Sequence, residues 1–152
     1  MSKEKAVSNT RPETAWDLMQ EVHDAILASP TNYYQGDWAV PVKNLTQEAY
    51  SEACGTAYCR AGWMNAILTE KTPKTEKQCD TFSEATATKC YRLLDRAGIP
   101  YGTVANLFAP YAARGKAGTE TYARSGAKGV ETFMKTYERQ LKAYRITDED
   151  CK

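Results

Sequence analysis

Cys54-Gly55-Thr56-Ala57-Tyr58-Cys59-Arg60-Ala61-Gly62-Trp63-Met64-Asn65-Ala66-Ile67-Leu68 decides how the rest of this 152-residue chain is read. At about 100° per residue, Cys59, Gly62, Trp63, Ala66 and Ile67 share one helical face, and Ala61, Met64 and Leu68 lie on the opposite one. A helix apolar on both sides is a buried helix. The chain is otherwise rather polar, so residues 56–69 are expected to form a central helix against which amphipathic helices pack. Gly55 marks the break before it and Thr56 its expected cap.

Upstream, residues 30–44 carry two prolines, a Gly36-Asp37 turn signal and the rings of Tyr33, Tyr34 and Trp38. Such a segment is a loop pinned by its rings, with at most a short edge strand near residues 38–42. Its rings have no core of their own, so they are expected to bury over the N-terminal end of the central helix. Leu45 to Ala53 reads as a short helix capped by Thr46. Further out, Thr10 with Glu13 has capping-box spacing, with Pro12 in the first turn. Ala15, Leu18, Met19, Val22 and Ile26 then form the stripe of a helix over about residues 11–29, stopped before Pro30. His23, the sole histidine, sits between Trp16 and Leu27 at helical spacing and reads as a core-edge residue rather than a ligand or general base. Residues 1–9 offer almost nothing to bury and read as a disordered tail.

Downstream, Thr81 and Glu84 repeat the capping-box spacing and open a helix over 82–97, ended by Gly98-Ile99-Pro100. Ala109 to Gly126 holds Pro110, Gly115, Gly118 and Gly126 without a clear period and reads mostly as loop. A last helix near 126–144 follows from Val130, Phe133, Met134, Tyr137, Leu141 and Tyr144 on one arc. Residues 147–152 read as an acidic frayed end. The expected fold is therefore all-α: one domain, residues 10–146, of four to five helices around a buried central one.

Composition limits the function classes. With 20 basic and 19 acidic residues the formal charge is +1, which neither recruits nor excludes nucleic acid. No stretch nears the roughly 18 uninterrupted apolar residues of a membrane span, and the polar start Met1-Ser2-Lys3-Glu4-Lys5-Ala6 leads into no apolar core of signal-peptide type. Five cysteines, an odd number and sparsely spaced, suit reduced thiols. A cytoplasmic protein without a membrane role is expected.

The box around Cys54 is the place where chemistry could reside. With Cys54 just before the expected cap and Cys59 in the first turn, exposed N–H groups and the helix dipole would favour a thiolate at Cys54. They would equally favour a phosphate or carboxylate held at Thr56 and the residues after it. The leading alternative is structural: Gly55 allows a tight turn, Gly62 allows close packing, and the thiols fill narrow space. Cys54, Cys59, Cys79 and Cys90 have spacings unlike a compact zinc knuckle, so no metal and no cofactor is expected. No residue is assigned a catalytic role, because no histidine, triad ordering or phosphate-cradling glycine loop accompanies the cysteines. The candidate binding residues are Cys54, Gly55, Thr56 and Cys59, with Tyr34 and Trp38 of the aromatic loop.

Residues 109–147 hold eight basic and three acidic residues. Arg124, Lys128, Lys135, Arg139 and Lys142 would line up within a ~60° stripe, which could meet phosphates. Glu131 and Glu138 each precede a lysine by four, the orientation of intrahelical ion pairs. A solvated, salt-bridged face is the expectation, and a nucleic-acid partner is not.

The string Cys54-Gly55-Thr56-Ala57-Tyr58-Cys59-Arg60-Ala61-Gly62 resembles the Cys-Gly-Thr-x-x-Cys-x-Ala-Gly box of a family of small, functionally uncharacterised bacterial and bacteriophage proteins. Members similar to this chain place before the box a helix ending in His-Pro and a Tyr/Gln/Trp segment, matched by Ser29-Pro30 and Tyr34-Gln35-Gly36-Asp37-Trp38. After it they carry a Leu-Phe pair, matched by Leu107-Phe108, and a closing amphipathic helix. The resemblance covers roughly residues 14–143. Ser29 stands where the family has histidine, which speaks against that position cooperating with the box cysteines, and Lys43 to Ala53 looks like an insertion. The resemblance implies a small accessory protein of phage or mobile-element origin that binds a host or viral macromolecule, a protein partner first of all. Two alternatives stand beside it: a thiol-dependent enzyme or redox protein centred on Cys54, and a binder of small anions at the N-terminus of the central helix.

Overall fold

The structure is a computed structural model and describes residues 11–51 and 53–152. The expected tail, residues 1–9, and the expected cap Thr10 lie outside the described residues. The first helix, α1 (Ala15–Ala28), is capped by Thr14: its Oγ1 accepts from the Asp17 N–H at 3.1 Å, and Asp17 Oδ2 accepts from the Thr14 N–H at 3.3 Å. It buries the expected stripe of Ala15, Leu18, Met19, Val22 and Ile26. Pro30 converts the chain to a single 3-10 turn, Pro30–Asn32.

A short strand, β1 (Ala39–Pro41), falls within the segment expected to hold one, but its partner was unforeseen. Thr56–Tyr58, expected as the first turn of the central helix, is strand β2, antiparallel to β1 with Ala39 opposite Tyr58, Val40 opposite Ala57 and Pro41 opposite Thr56. Gly55, at φ +90°, takes the left-handed turn that swings the chain into this hairpin, and a Thr–Ala–Tyr triplet suits a strand as well as a helix start. Between the strands lie 3-10 turns at Val42–Asn44 and Glu48–Tyr50 in place of the expected helix, and the latter has no side-chain cap.

The central helix is therefore shorter than expected: α2 (Arg60–Thr69), with Cys59 as its N-cap and Glu70 closing it at φ 58°. It nevertheless occupies the middle, touching α1, β2 and the two helices that follow, and it buries Ala61, Met64 and Leu68 on one side and Arg60, Gly62 and Asn65 around them. Helix α3 (Glu76–Arg96) starts before the expected boundary, because Thr75 and Gln78 form the capping box and Thr81 and Glu84 lie inside a helix already begun. Gly98, at φ +90°, ends that run, with the Ile99 N–H donating to the Leu94 carbonyl at 3.0 Å. Helix α4 (Tyr101–Phe108) follows Pro100.

Helix α5 (Glu120–Thr136) also begins earlier than expected, capped by Thr119, so residues 120–126 are helix and not loop. The glycines there do not break the helix, because Gly126 and Gly129 face Tyr33 and Arg60 so closely that a Cβ at either would collide with them. The expected continuous last helix divides at Tyr137 into α5 and α6 (Glu138–Ala143). The C-terminal end, expected to fray, is held down. Asp150 is 3% exposed, and its carboxylate accepts from the Tyr144 hydroxyl at 2.9 Å, the Thr147 N–H at 2.9 Å and Arg96 Nη1 at 3.1 Å. The fold is all-α apart from the two-stranded hairpin, and the core runs between α1, α5 and α2.

Candidate functional site: the groove beside the Cys54 turn

The hairpin moves the box residues apart from the helix start. Cys54, Gly55 and Thr56 form its bend, and Asn32 holds the bend from below: Nδ2 donates to the Cys54 carbonyl at 3.2 Å and to the Thr56 carbonyl at 3.0 Å. The Thr56 hydroxyl donates to the Pro73 carbonyl and so fastens the connection between α2 and α3. Cys54 is exposed. It stands five residues before the cap of α2 rather than two, outside the first turn where a helix dipole acts.

Cys59 has a different setting. It is 2% exposed, and its Sγ accepts from the Gly62 N–H at 3.4 Å as the cap of α2. Burial pushes its thiol up to about 12, with the N–H groups of Gly62 and Ala61 opposing only in part, so at neutral pH it is a thiol and not a nucleophile. The N-terminus of α2 is also occupied from within: the Arg60 N–H donates to Gln35 Oε1 at 3.2 Å and the Trp63 N–H to the Cys59 carbonyl at 2.9 Å. Of the N–H groups that open α2, those of Arg60 and Gly62 are thus taken by the protein's own acceptors.

Tyr34 and Trp38 do not join Cys54 in one site. The Trp38 ring packs edge-on against Phe108 at 6.3 Å, and the Tyr34 ring edge-on against Tyr50 at 6.1 Å. The expected seat of this loop on the central helix holds for its backbone: the Trp38 carbonyl lies against Gly62, where a Cβ would collide with it. Tyr33 is completely buried, and Tyr50 donates its hydroxyl to the Tyr33 carbonyl at 2.6 Å. His23 lies half-buried on α1 with Nδ1 2.9 Å from Asp24 Oδ1.

Sequence reasoning missed the polar network under the box. Arg60, 2% exposed, extends its guanidinium between α4 and α5, donating to the Leu107 carbonyl at 2.8 Å and to the Gly126 carbonyl at 3.1 and 2.8 Å. Burial lowers its pKa from the ordinary arginine value, and the charge is met by carbonyl oxygens, Leu107 being in the last turn of α4 where the helix dipole favours a cation. Gln35, 1% exposed, accepts from the Tyr33 hydroxyl at 2.8 Å and from the Arg60 N–H, while its own N–H donates to the Tyr122 hydroxyl at 2.8 Å. A lone arginine inside an apolar helix and two glycines three apart in α5 were the sequence signals of this network.

Outside the bend, a groove of about 720 Å³ opens between Cys54-Gly55-Thr56, the outer face of α2 and residues 70–74. Its walls are Pro41, Tyr58, Trp63, Ala66, Ile67 and Pro73. The indole Nε1 of Trp63 is buried and has no hydrogen-bond partner among the described residues. Among the described residues, Lys43, Lys71 and Lys74 stand on the edge against one acid, Glu70. Among the described residues no three His, Cys, Asp or Glu side chains gather as a metal-binding group, and no helix is long and apolar enough to cross a membrane.

No family model, no curated protein and no solved structure matches the chain.

Proposed function

We propose that this protein works by binding and not by catalysis, and that the groove beside the Cys54 turn receives an extended, acidic segment of a protein partner carrying an apolar anchor. The observation that carries this reading is the groove's composition among the described residues: apolar walls, an indole N–H with no acceptor, and three lysines against one glutamate at the edge. An apolar side chain of the segment would cover Ala66 and Ile67, a backbone carbonyl would accept from Trp63, and carboxylates would lie near Lys71 and Lys74. Kinship with the box-bearing bacterial and phage proteins, and an origin in phage or mobile elements, belong to the same proposal. So does a cytoplasmic location, which is supported by five cysteines that are all free thiols. The basic face of α5 and α6 is left out of the binding surface, because Arg124, Lys128, Lys135 and Lys142 each pair with a glutamate on the same face.

The test is selection from a displayed random peptide library. The wild type should select sequences combining acidic residues with one large apolar residue, and Ile67→Arg or the pair Lys71→Glu and Lys74→Glu should lose them while keeping the melting temperature. Unchanged selection by both variants would remove the groove from consideration. A Cys54→Ala protein that melts normally but loses its biological effect would favour the thiol-dependent alternative.

A further inference from the structure

A second cleft, of about 650 Å³, lies between residues 71–73 and the first half of α3, within the range of roughly 300–1,000 Å³ of small-molecule sites. Its lining includes Asn65, which is 2% exposed. The orientation of that amide is fixed by its neighbour. The Thr86 hydroxyl donates its one proton to the Phe82 carbonyl at 2.8 Å, so toward Asn65 it can only accept, and Asn65 Nδ2 donates to it at 2.9 Å. Asn65 Oδ1 is thereby turned away from Thr86 and, among the described residues, left buried without a donor. A buried acceptor in that condition destabilises the fold until a donor arrives. The remaining lining supplies an apolar wall of Phe82, Ala85 and Pro73 and the ammonium groups of Lys71, Lys77, Lys89 and Lys152, with no acidic side chain in it. Lys152 also lies 3.9 Å from Glu149, and among the described residues is the one of the four in an ion pair.

A donor for a single buried oxygen, a flat apolar surface beside it and concentrated positive charge together describe an amino-bearing heterocycle joined to a phosphate. We propose that this cleft binds a nucleoside monophosphate, its exocyclic amino group donating to Asn65 Oδ1 and its phosphate lying among Lys71, Lys77 and Lys89. The site adjoins the peptide groove, with which it shares Lys71, Thr72 and Pro73, and has lining of its own beside them. Asn65, Lys77 and Lys89 line only the cleft, and Trp63, Ala66 and Ile67 line only the groove.

Isothermal titration of the full chain with AMP, adenosine and ribose 5-phosphate tests it. AMP should bind at least about tenfold more tightly than either fragment, since each lacks one of the two recognised ends. Asn65→Leu should remove the preference for AMP over ribose 5-phosphate. Lys77→Gln with Lys89→Gln, one exposed and one half-buried and neither in the core, should weaken AMP about tenfold and leave adenosine unchanged, which keeps the test decisive if Asn65→Leu melts early. Ile67→Arg should leave AMP binding intact. Ribose 5-phosphate binding as well as AMP would reduce the cleft to a lysine-rich surface, and no heat with millimolar AMP would overturn the proposal outright.

Discussion

Replacing Gly62 by alanine adds one methyl group at the point where the aromatic loop meets the central helix. That methyl would collide with the Trp38 carbonyl oxygen, and would stand 3.1 Å from the carbonyl carbon and 3.0 Å from Tyr58 Cβ. Overpacking costs about 1–3 kcal/mol when side chains can shift. Here the obstacle is backbone, fixed on one side by the β1–β2 pairing and on the other by the Trp38 ring against Phe108, so the upper end, about 3 kcal/mol, applies. For a domain of this size each kcal/mol lowers the melting temperature by about 2–4 °C, giving a drop of about 6–12 °C. Gly102→Ala is the matched control: it lies in α4 with nothing within 4 Å of the added carbon, and should stabilise by about 0.4–1 kcal/mol. Thermal melts followed by circular dichroism read both. If Gly62→Ala melts within about 2 °C of the parent while Gly102→Ala behaves as expected, the loop is not seated on α2 and the origin of the groove's inner wall must be sought elsewhere.

Three other outcomes follow from the same geometry. Arg60→Met should destabilise by at least about 3 kcal/mol in urea unfolding, because the Leu107 and Gly126 carbonyls lose charged donors. Arg60→Lys should not restore it, since an ammonium cannot span both oxygens as the guanidinium fork does. Under native conditions a maleimide should modify Cys54 first, with Cys59, Cys79 and Cys90 protected until the chain unfolds, as mass spectrometry of partly labelled protein would show. Stability should be level up to about pH 9 and fall from there toward pH 12. Burial raises the Cys59 thiol from 9.0 and the Tyr58 phenol from 10.0, both to about 12, so the unfolded chain loses these protons first and gains stability relative to the fold as pH rises. A urea midpoint that stays constant to pH 11 would contradict this.

The helices that periodicity marks were legible in the sequence, and the places where periodicity is silent were not. Leu18, Met19, Val22 and Ile26 repeat at helical spacing and are all fully buried, as the stripe required. Thr56–Tyr58 carries three residues that extend the helical pattern backward from Arg60, and only pairing with Ala39–Pro41, far away in sequence, makes them a strand. Thr81 and Glu84 imitate the capping box that Thr75 and Gln78 make; spacing alone does not tell a helix start from a repeat inside one. Gly126 reads as a breaker because its reason for being glycine is a partner elsewhere, Tyr33. At the candidate site, Gly55 is the break that was expected, while Thr56, expected to cap the central helix, opens strand β2 instead. The groove they border was invisible, because Pro73, Lys71 and Lys74 reach it from the next connection.

The box also separates into an inner and an outer set with different physical duties. Cys59 caps α2, Arg60 fastens α4 and α5 through their carbonyls, and Gly62 leaves room for the Trp38 backbone. All three are buried and satisfied within the fold, so none has a group left over for a ligand. Cys54 and Gly55 face outward, and beyond them the apolar walls of the groove and its exposed lysines are open to another molecule. Substitution in the inner set must therefore act through stability, lowering the folded fraction and every activity in proportion. Substitution along the groove can change binding while the melting temperature stays in place. Loss of function that splits along this line, with the melt shifted for Gly62 and Arg60 and unshifted for Ile67 and Lys71, is what a site built on the outside of a folding joint demands.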